Sequence, residues 1–339
     1  MQNLLSSLTS LFNQIRKPQK RIAGSFFGRW LIEVWLIFWS LVKIMLPMLL
    51  LVRFIELLGW IEPMALLLEP VMMWVGLPGD MGLVWLSAML SSVYTGMAVF
   101  YQIAGTEPMT IAQVSVLGTM ILVAHGLPVE VAIARASGVS LWFTLLLRIS
   151  AALGLGALLN MTYSNAQWLQ APAPLLWQAT IHSSDWLSWL ITQVHMLLAA
   201  LGIIAGLTLL IHLLRYLGIE KLIHLMLAPV LRMLGIGAKA TNIMLVGLTL
   251  GISFGGGILI QEARSGKIDA KDVFMTMALL SLCHGIIEDT LLILLLGADL
   301  SAVLWARLGF SLLVIVLLAR LLDYLPLRWH CWLYNSVKR

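Results

Sequence analysis

The sequence predicts an all-α integral membrane protein with two inverted-topology repeats, about six spanning helices, two re-entrant hairpins and interfacial amphipathic helices. The composition, an internal repeat and the distribution of Lys and Arg predict this fold. Hydrophobic residues make up 60% of the 339 residues and charged residues 11%, with a mean hydropathy of +0.96. Several apolar runs exceed the roughly 18 to 20 residues that span a bilayer as a helix, and alternating strand patterns are absent.

Residues 1–29 are expected to lie along the membrane surface. Leu4, Leu8 and Leu11 fall on one helical face, and the segment turns basic over 16–21. An amphipathic, basic segment of this kind is typical of an interfacial helix. The net charge of +5 is concentrated in such flanks, so it reflects membrane topology, and we expect the lipid bilayer and not nucleic acid as a partner.

The chain matches itself when it is shifted by 159 residues, over roughly ninety residues without a gap. The matches include residue types that rarely coincide in apolar sequences. They are Gly59 with Gly218, Pro70 with Pro229, Gly96 with Gly255, Gln102 with Gln261, His125 with His284, Gly126 with Gly285, and Arg148 with Arg307. We therefore predict two homologous repeats, 30–158 and 187–322, joined by a linker at 159–186 and followed by a basic tail at 323–339.

The positions of Lys and Arg predict that the two repeats are inverted relative to each other. Short cytoplasmic loops are enriched in these residues, so both basic termini are placed in the cytoplasm and the linker, which has no Lys or Arg, outside. Segment 54–80 is acidic and has no Lys or Arg, whereas its counterpart 216–240 has three. The same element therefore lies on opposite sides of the membrane, as in many secondary transporters.

Each repeat is predicted to contain the same five elements. They are a spanning helix (30–53; 187–214), an interfacial helix (55–76; 216–235), a re-entrant hairpin (81–102; 241–261), a spanning segment interrupted at His-Gly (109–135; 270–295) and a final spanning helix (139–158; 301–322). Hairpins are predicted because the flanks of each segment match in charge, which places both ends on one side. We expect the second tip at "GISFGGG", 251–257, because glycine lets the backbone turn and approach a ligand.

Candidates for substrate binding lie in and after the hairpin tips, since polar residues inside a bilayer are functional candidates by default. Gln102 and Gln261 can each donate and accept hydrogen bonds, which suits a small polar solute. An equally good interpretation is that they satisfy hairpin carbonyl groups. Hydroxyl groups and glycine amides of the two tips complete the set: Tyr94, Thr95, Ser253, Gly255 and Gly256.

Two related motifs are the candidates for binding a coupling cation. "HGLPVE" runs from His125 to Glu130, and "HGIIED" begins at His284 and ends with Glu288 and Asp289. The Gly after each His can interrupt the helix, and we expect His284 and Glu288 to share a helix face while Asp289 points elsewhere. A buried His near a carboxylate can accept a proton or act as a structural donor. The two His and up to three carboxylates are alternatively ligands for a divalent transition metal.

Other charged residues also lie within apolar segments. Arg148 and Arg307 recur at the repeat offset and are expected to mark helix ends or to pair with acids. Glu33 and Lys43 have no counterparts, and for them we expect snorkelling or contact with another subunit.

The sequence gives no indication of an enzyme. It contains no GxxxxGK[ST] loop, so we do not expect transport driven by nucleotide hydrolysis in this chain. No Ser/His/Asp arrangement or pair of catalytic carboxylates is evident. Its two cysteines, Cys283 and Cys331, are too few for a disulfide framework or a structural zinc site.

The Gly-rich segment 251–257 with Gln261, and a weaker copy around Gly96 and Gln102, resemble the nucleoside recognition (Gate) domain family. The resemblance covers nearly all of 30–322 and includes the order of interfacial helix, hairpin and broken helix. That family's fold is shared by concentrative nucleoside transporters, the membrane region of the ferrous iron transporter B and spore maturation proteins A and B.

The resemblance implies that the hairpin tips and broken helices bind a solute and a coupling cation. By similarity, the positions to test are Gln102, Gln261, Glu288 and Asp289. The Gln-Thr-Glu motif of the nucleoside transporters and the GTPase domain of the iron transporter are not found in this sequence. The resemblance therefore implies transport more strongly than it implies nucleosides.

Together these observations predict a cation-coupled secondary transporter of the bacterial inner membrane that moves a small polar solute, such as a nucleoside, by alternating access. The coupling ion is expected to be Na⁺ or H⁺, without a further cofactor, and homo-oligomers are expected by analogy with related transporters. One alternative is a divalent metal permease that depends on His125 and His284. Another is a non-transporting membrane assembly or signalling protein.

Overall fold

The computed structural model describes residues 26–103, 109–174, 186–233, 236–266 and 268–334. Within these ranges the chain forms helices and turns, with isolated bridges between Thr110 and Pro172 and between Val139 and Tyr334. The all-α fold predicted from the apolar composition is confirmed.

The first half contains seven helices in the described ranges. They are α1 (Phe26–Leu57), α2 (Ile61–Trp74), α3 (Met81–Leu90), α4 (Val93–Ile103), α5 (Ile111–Ala124), α6 (Leu127–Ala136) and α7 (Leu141–Ala166). The N-terminal segment at 1–25, with most of the predicted interfacial helix, lies outside the described residues.

The second half begins after the linker. Its helices are α8 (Trp186–Tyr216), α9 (Ile219–Met233), α10 (Ala238–Leu250), α11 (Ile252–Arg264), α12 (Ala270–Leu282), α13 (Glu288–Leu294), α14 (Arg307–Tyr324) and α15 (Leu327–Leu333). A π-helical turn, Ser301–Ala306, leads directly into α14.

Five helices of the described chain are long and apolar enough to cross a membrane. They are Phe26–Leu57, Ile111–Ala136, Leu141–Ala166, Trp186–Tyr216 and Ser301–Tyr324. The sequence predicted a sixth span at 270–295. That segment is divided between α12 and α13, each too short to cross a bilayer as a single helix. The membrane-protein fold is confirmed. In the first half only His125 and Gly126 separate the two helices, so Ile111–Ala136 counts as one span, whereas the five residues 283–287 separate α12 from α13.

The helix pattern recurs at the offset found in the sequence. Shifted by 159 residues, 26–57 becomes 185–216, and α8 is Trp186–Tyr216. The same shift turns 93–103 into 252–262, which lies within α11. The correspondence covers all seven helices of the first half, if the π-helical turn and α14 together are matched with α7.

The equivalent helices α1 and α8 pack against each other in opposite directions. Near the end of α1, the Arg53 guanidinium lies 5.6 Å from the ring of Trp186 at the start of α8. Near the end of α8, the ring of His212 meets that of Phe26 at 5.6 Å. This equivalent pair is thus related by an approximate two-fold axis perpendicular to the helices, as inverted repeats require.

Glu33 has a partner within the chain. Its carboxylate lies 3.5 Å from Nε2 of His212 on α8, whereas the sequence interpretation placed it in contact with lipid headgroups or another subunit. The missed partner lies far along the chain, and only the antiparallel packing of α1 and α8 brings it close. Lys43 lies over the ring of Trp39, 5.8 Å from its centroid.

The helices next to the two breaks occupy the centre of the molecule. The span formed by α5 and α6 is 78% buried, whereas α1 is 18% and α8 11% buried. In α12, every side chain from Val273 to Leu282 is buried. The outer helices expose apolar side chains, as expected where helices face lipid.

Each predicted hairpin is a pair of short helices joined by a tight turn. The turn between α3 and α4 lies at Ser91 and Ser92, and the turn between α10 and α11 lies at Gly251, which has a φ of +87°. The prediction that "GISFGGG" forms the second tip is therefore wrong beyond Gly251. The glycines at 255–257 lie inside α11.

These glycines let the two arms of the hairpin and a neighbouring helix approach closely. A Cβ at Gly255 would overlap Cα of Gly247 on α10, and a Cβ at Gly256 would lie 2.5 Å from Cγ2 of Ile133 on α6. In the first hairpin, a Cβ at Gly96 would lie 2.7 Å from Cβ of Ala88. Close packing of small residues between helices is a common device in membrane proteins.

We expect Gly255→Ala to destabilise the protein by about 1 to 3 kcal/mol, because the added methyl group must push two backbones apart. Gly257→Ala is the matched control, since nothing lies within 4 Å of its added Cβ in the same helix. Thermal unfolding in detergent measures the difference. Equal melting temperatures for the two variants would contradict close packing as the reason for Gly255.

Candidate functional site

Both central helices are interrupted at a histidine followed by a glycine. His125 and Gly126 separate α5 from α6, and the break between α12 and α13 contains His284 and Gly285. Gly126 and Gly285 have φ of +58° and +56°, a conformation that other residues rarely adopt. The sequence prediction of a break at each His-Gly pair is confirmed.

Each break glycine also leaves room for a carboxylate. A Cβ at Gly126 would lie 3.2 Å from Oε1 of Glu130, and a Cβ at Gly285 would overlap the carboxyl group of Asp289. A larger residue at either position would displace the carboxylate that follows. The glycines therefore place one acidic side chain over each break.

The two break histidines meet at the centre of the molecule. Nε2 of His125 lies 3.3 Å from Nε2 of His284, and the ring centroids are 5.0 Å apart. Both side chains are buried. Because the residues are equivalent in the two repeats, their contact lies on the approximate two-fold axis.

Glu130 joins the two histidines to a buried arginine. Its Oε1 lies 3.4 Å from Nε2 of His125 and 3.4 Å from Nε2 of His284. Its Oε2 accepts a hydrogen bond from Nη1 of Arg148, which is fully buried. This ion pair satisfies the sequence expectation that the recurring arginines pair with acids or mark helix ends.

The two recurring arginines cap backbone carbonyl groups that the breaks leave free. Nε of Arg148 donates to the carbonyl oxygen of Val123 at 2.8 Å, and Nη2 of Arg307 donates to the carbonyl oxygen of His284. Uncapped carbonyl groups at this depth would be costly, because lipid provides no donors. The sequence analysis did not assign these residues to the site, although their recurrence at the same offset as the histidines marked them.

The second half is not paired in the same way as the first. Asp289 is the counterpart of Glu130, but its Oδ2 lies 4.0 Å from Nε2 of His284. Within the described residues it forms no ion pair with Arg307, the counterpart of Arg148. Equivalent positions of the two repeats are therefore paired differently.

The expected grouping of acids around His284 is reversed. The helical spacing predicted that Glu288 would share a face with His284, but Asp289 is the acid near its ring. Residues four apart share a face only in a continuous helix. Here the left-handed Gly285 interrupts the helix between His284 and Glu288. Glu288 instead accepts a hydrogen bond at 3.4 Å from the hydroxyl group of Tyr94, in the first hairpin.

The substrate candidates lie in different environments. Both amide atoms of Gln102 are buried and have no hydrogen-bond partner in the described chain, whereas Gln261 is exposed. The hydroxyl group of Thr95 is buried and lies 2.7 Å from that of Ser91 in the hairpin turn. Gly255 and Gly256 pack against other helices. The side chain of Ser253 lies outside the described residues.

The structure thus brings together His125, Glu130, His284 and Asp289, with Tyr94 and Glu288 beside them. It does not bring Gln261 to this buried centre. Gln193 on α8 was not singled out from the sequence, although its Oε1 is buried without a partner in the described chain. A glutamine within an apolar helix was the signal that marked it.

We expect Arg148→Met to destabilise the protein by about 3 to 5 kcal/mol, because it leaves Glu130 charged and unpaired in the interior. Adding Glu130→Gln to that variant should restore part of the loss. Arg135→Met is the control, since Arg135 is exposed on the neighbouring helix α6. Thermal unfolding of the native protein, Arg148→Met, Glu130→Gln and the double variant gives the coupling between the two residues, and additive effects of the two substitutions would contradict it.

Comparison with known proteins supports a membrane protein. The chain is 25% identical over 303 residues to the uncharacterized membrane protein YvoD of Bacillus subtilis (strain 168), covering 88% of this chain and 93% of that protein. No protein-family model matches the chain, and no solved structure matches it.

Proposed function

We propose that this membrane protein is a cation-coupled secondary transporter of a small polar solute that works by alternating access. The observation that carries the proposal is the meeting of His125 and His284 at 3.3 Å, between two antiparallel halves. Ionisable groups at such depth are costly and mark ion or substrate pathways in membrane proteins. Broken helices at the interface of inverted repeats are where transporters hold their ligands.

The different pairing in the two repeats supports alternation between two states. In the state described, Arg148 holds Glu130 while Asp289 has no arginine partner in the described chain. If the halves exchange conformations, Arg307 takes Asp289 as its partner and Glu130 is released. Two arrangements of one set of residues are the kind of bistable element that switching requires.

The coupling cation binds at the central cluster, and the solute beside it. Glu288 and Tyr94 join the second break to the first hairpin, so a change at the break is transmitted to the hairpin. Gln102 offers a buried amide for a polar solute. The resemblance to the Gate domain family makes nucleosides the leading solute and Na⁺ or H⁺ the leading coupling ions. The protein is proposed to lie in the bacterial inner membrane with both termini in the cytoplasm.

Uptake into proteoliposomes under imposed proton or sodium gradients tests the proposal, with nucleosides, nucleobases and other small metabolites as solutes. We expect saturable, gradient-dependent uptake that falls by at least about tenfold in Asp289→Asn. Asp323→Asn should leave uptake unchanged, because Asp323 is an exposed partner of Lys271, 2.8 Å away. Uptake that does not depend on either gradient would overturn the proposal. So would the absence of uptake for every solute tested.

Exchange of the ion pairs has its own test in Asp289→Glu. The extra methylene group lets the second carboxylate reach further toward Arg307, which should favour the alternate state. We expect hydrogen exchange to change in opposite directions in the two hairpins, residues 81–103 and 238–264, relative to the native protein. A change of the same sign in both hairpins would contradict an exchange of conformations.

A further inference from the structure

We infer that His125, His284, Glu130 and Asp289 form a binding site for one divalent transition metal ion with tetrahedral coordination. The inference rests on the proposed function, because it asks which cation occupies the central cluster, and it places a divalent transition metal there instead of the Na⁺ or H⁺ that the family resemblance suggests.

The distances among three ligand atoms match one face of a tetrahedron. The two Nε2 atoms are 3.3 Å apart, and Oε1 of Glu130 lies 3.4 Å from each of them. With bonds of about 2.0 to 2.2 Å to imidazole nitrogen and carboxylate oxygen, tetrahedral ligand atoms are about 3.3 to 3.6 Å apart. A single ion can therefore reach all three atoms without rearrangement of the helices.

Both rings present their Nε2 atoms to the centre as acceptors. Nδ1 of His125 lies 3.1 Å from the carbonyl oxygen of Ile121, and Nδ1 of His284 lies 2.6 Å from that of Leu280. A carbonyl oxygen only accepts, so each Nδ1 carries the proton and donates it. Hydrogen bonding of the distal nitrogen to a carbonyl is the usual arrangement of metal-bound histidine.

The resulting cluster is electrostatically incomplete without a cation. Two Nε2 lone pairs and a carboxylate oxygen converge in a buried interior, where repulsion between them is weakly screened. Arg148 binds the other oxygen of Glu130, which fixes Oε1 in place but does not lie between the three acceptors. A bound metal ion stabilises all three acceptors at once.

Asp289 supplies the fourth ligand. Its Oδ2 lies 4.0 Å from Nε2 of His284, and the ligand atoms of His125, His284 and Asp289 all lie within 4.8 Å of one another. To reach tetrahedral length, the edge from Asp289 to His284 must shorten by about half an ångström, and the edge to His125, which is at most 4.8 Å, by at most about 1.5 Å. Asp289 is half-buried and has no arginine partner in the described chain, so it is free to make that adjustment.

The donor set selects the metal. Imidazole suits zinc and related transition metals, whereas Mg²⁺ and Ca²⁺ prefer shells of oxygen ligands. Two of the four donors here are imidazole nitrogens. The charge of Glu130 is largely balanced by Arg148, so the site also lacks the excess negative charge that would favour a hard cation.

Binding of Co²⁺ to the purified full-length protein tests the inference, because tetrahedral Co²⁺ has intense visible absorption bands and octahedral Co²⁺ has weak ones. After removal of metals with a chelator, we expect one Co²⁺ per chain, intense bands, and displacement by Zn²⁺ but not by excess Mg²⁺. Weak bands, several ions per chain or displacement by Mg²⁺ would overturn the inference. This measurement needs no variant, so it stands even where a substitution prevents folding.

Variants locate the ion within the protein. His125→Asn and His284→Asn should each weaken Co²⁺ binding by more than about 100-fold, since losing even an outer-sphere partner costs 10- to 100-fold. His212→Asn is the matched control, because that histidine lies between α1 and α8 and pairs with Glu33. Equal binding by all three variants would mean an adventitious metal and would overturn the inference.

The outcomes separate this inference from the proposed transport function. Gradient-dependent uptake by a protein that binds no Co²⁺ would overturn the metal site and support the transport function. Tetrahedral Co²⁺ binding by a protein without gradient-dependent uptake would support the metal site and overturn coupled transport. Uptake of Zn²⁺ itself, lost in His284→Asn, would make the metal the transported substrate.

Discussion

The contact between two broken helices at His125 and His284 is the constraint on which the centre of this molecule depends. Interrupting a helix in an apolar interior frees backbone carbonyl groups that lipid cannot satisfy. The chain meets this cost with two buried arginines, which donate to the carbonyl oxygens of Val123 and His284. Those arginines bring buried positive charge, and Glu130 is the partner that balances one of them.

The close packing of the hairpins follows from the same constraint. Two breaks meet on the approximate two-fold axis only if the elements around them approach closely. Gly255 and Gly256 allow this on one side, where their Cβ positions are taken by α10 and α6. Gly96 does the same against α3. The glycines thus shape the walls of the centre, which accounts for their presence in an apolar segment without requiring contact with a ligand.

The sequence predicted the helical membrane fold, the repeat and the interrupted helices because each leaves a local or periodic trace. Apolar runs indicate spanning helices, and the fixed offset paired His125 with His284 before their contact was known. The predictions that were wrong depended on backbone geometry or on contacts between residues far apart in the sequence. Asp289 replaces Glu288 beside His284 because the left-handed Gly285 changes the spacing rule. His212 meets Glu33 only because α1 and α8 are antiparallel, which no local pattern expresses.

The symmetry of the repeat also bears on the proposed exchange between two states. Exchange of the two halves replaces His125 by His284 and His284 by His125, so the pair of imidazoles on the axis is carried onto itself. The carboxylates are not on the axis, so the same exchange replaces Glu130 by Asp289 as the arginine-bound acid. A cation bound by both histidines would keep these two ligands during the exchange of conformations. The carboxylate paired with arginine would alternate between the two halves. In the proposed exchange, the difference in length between Glu130 and Asp289 makes the two states unequal, because only Glu130 has the extra methylene group.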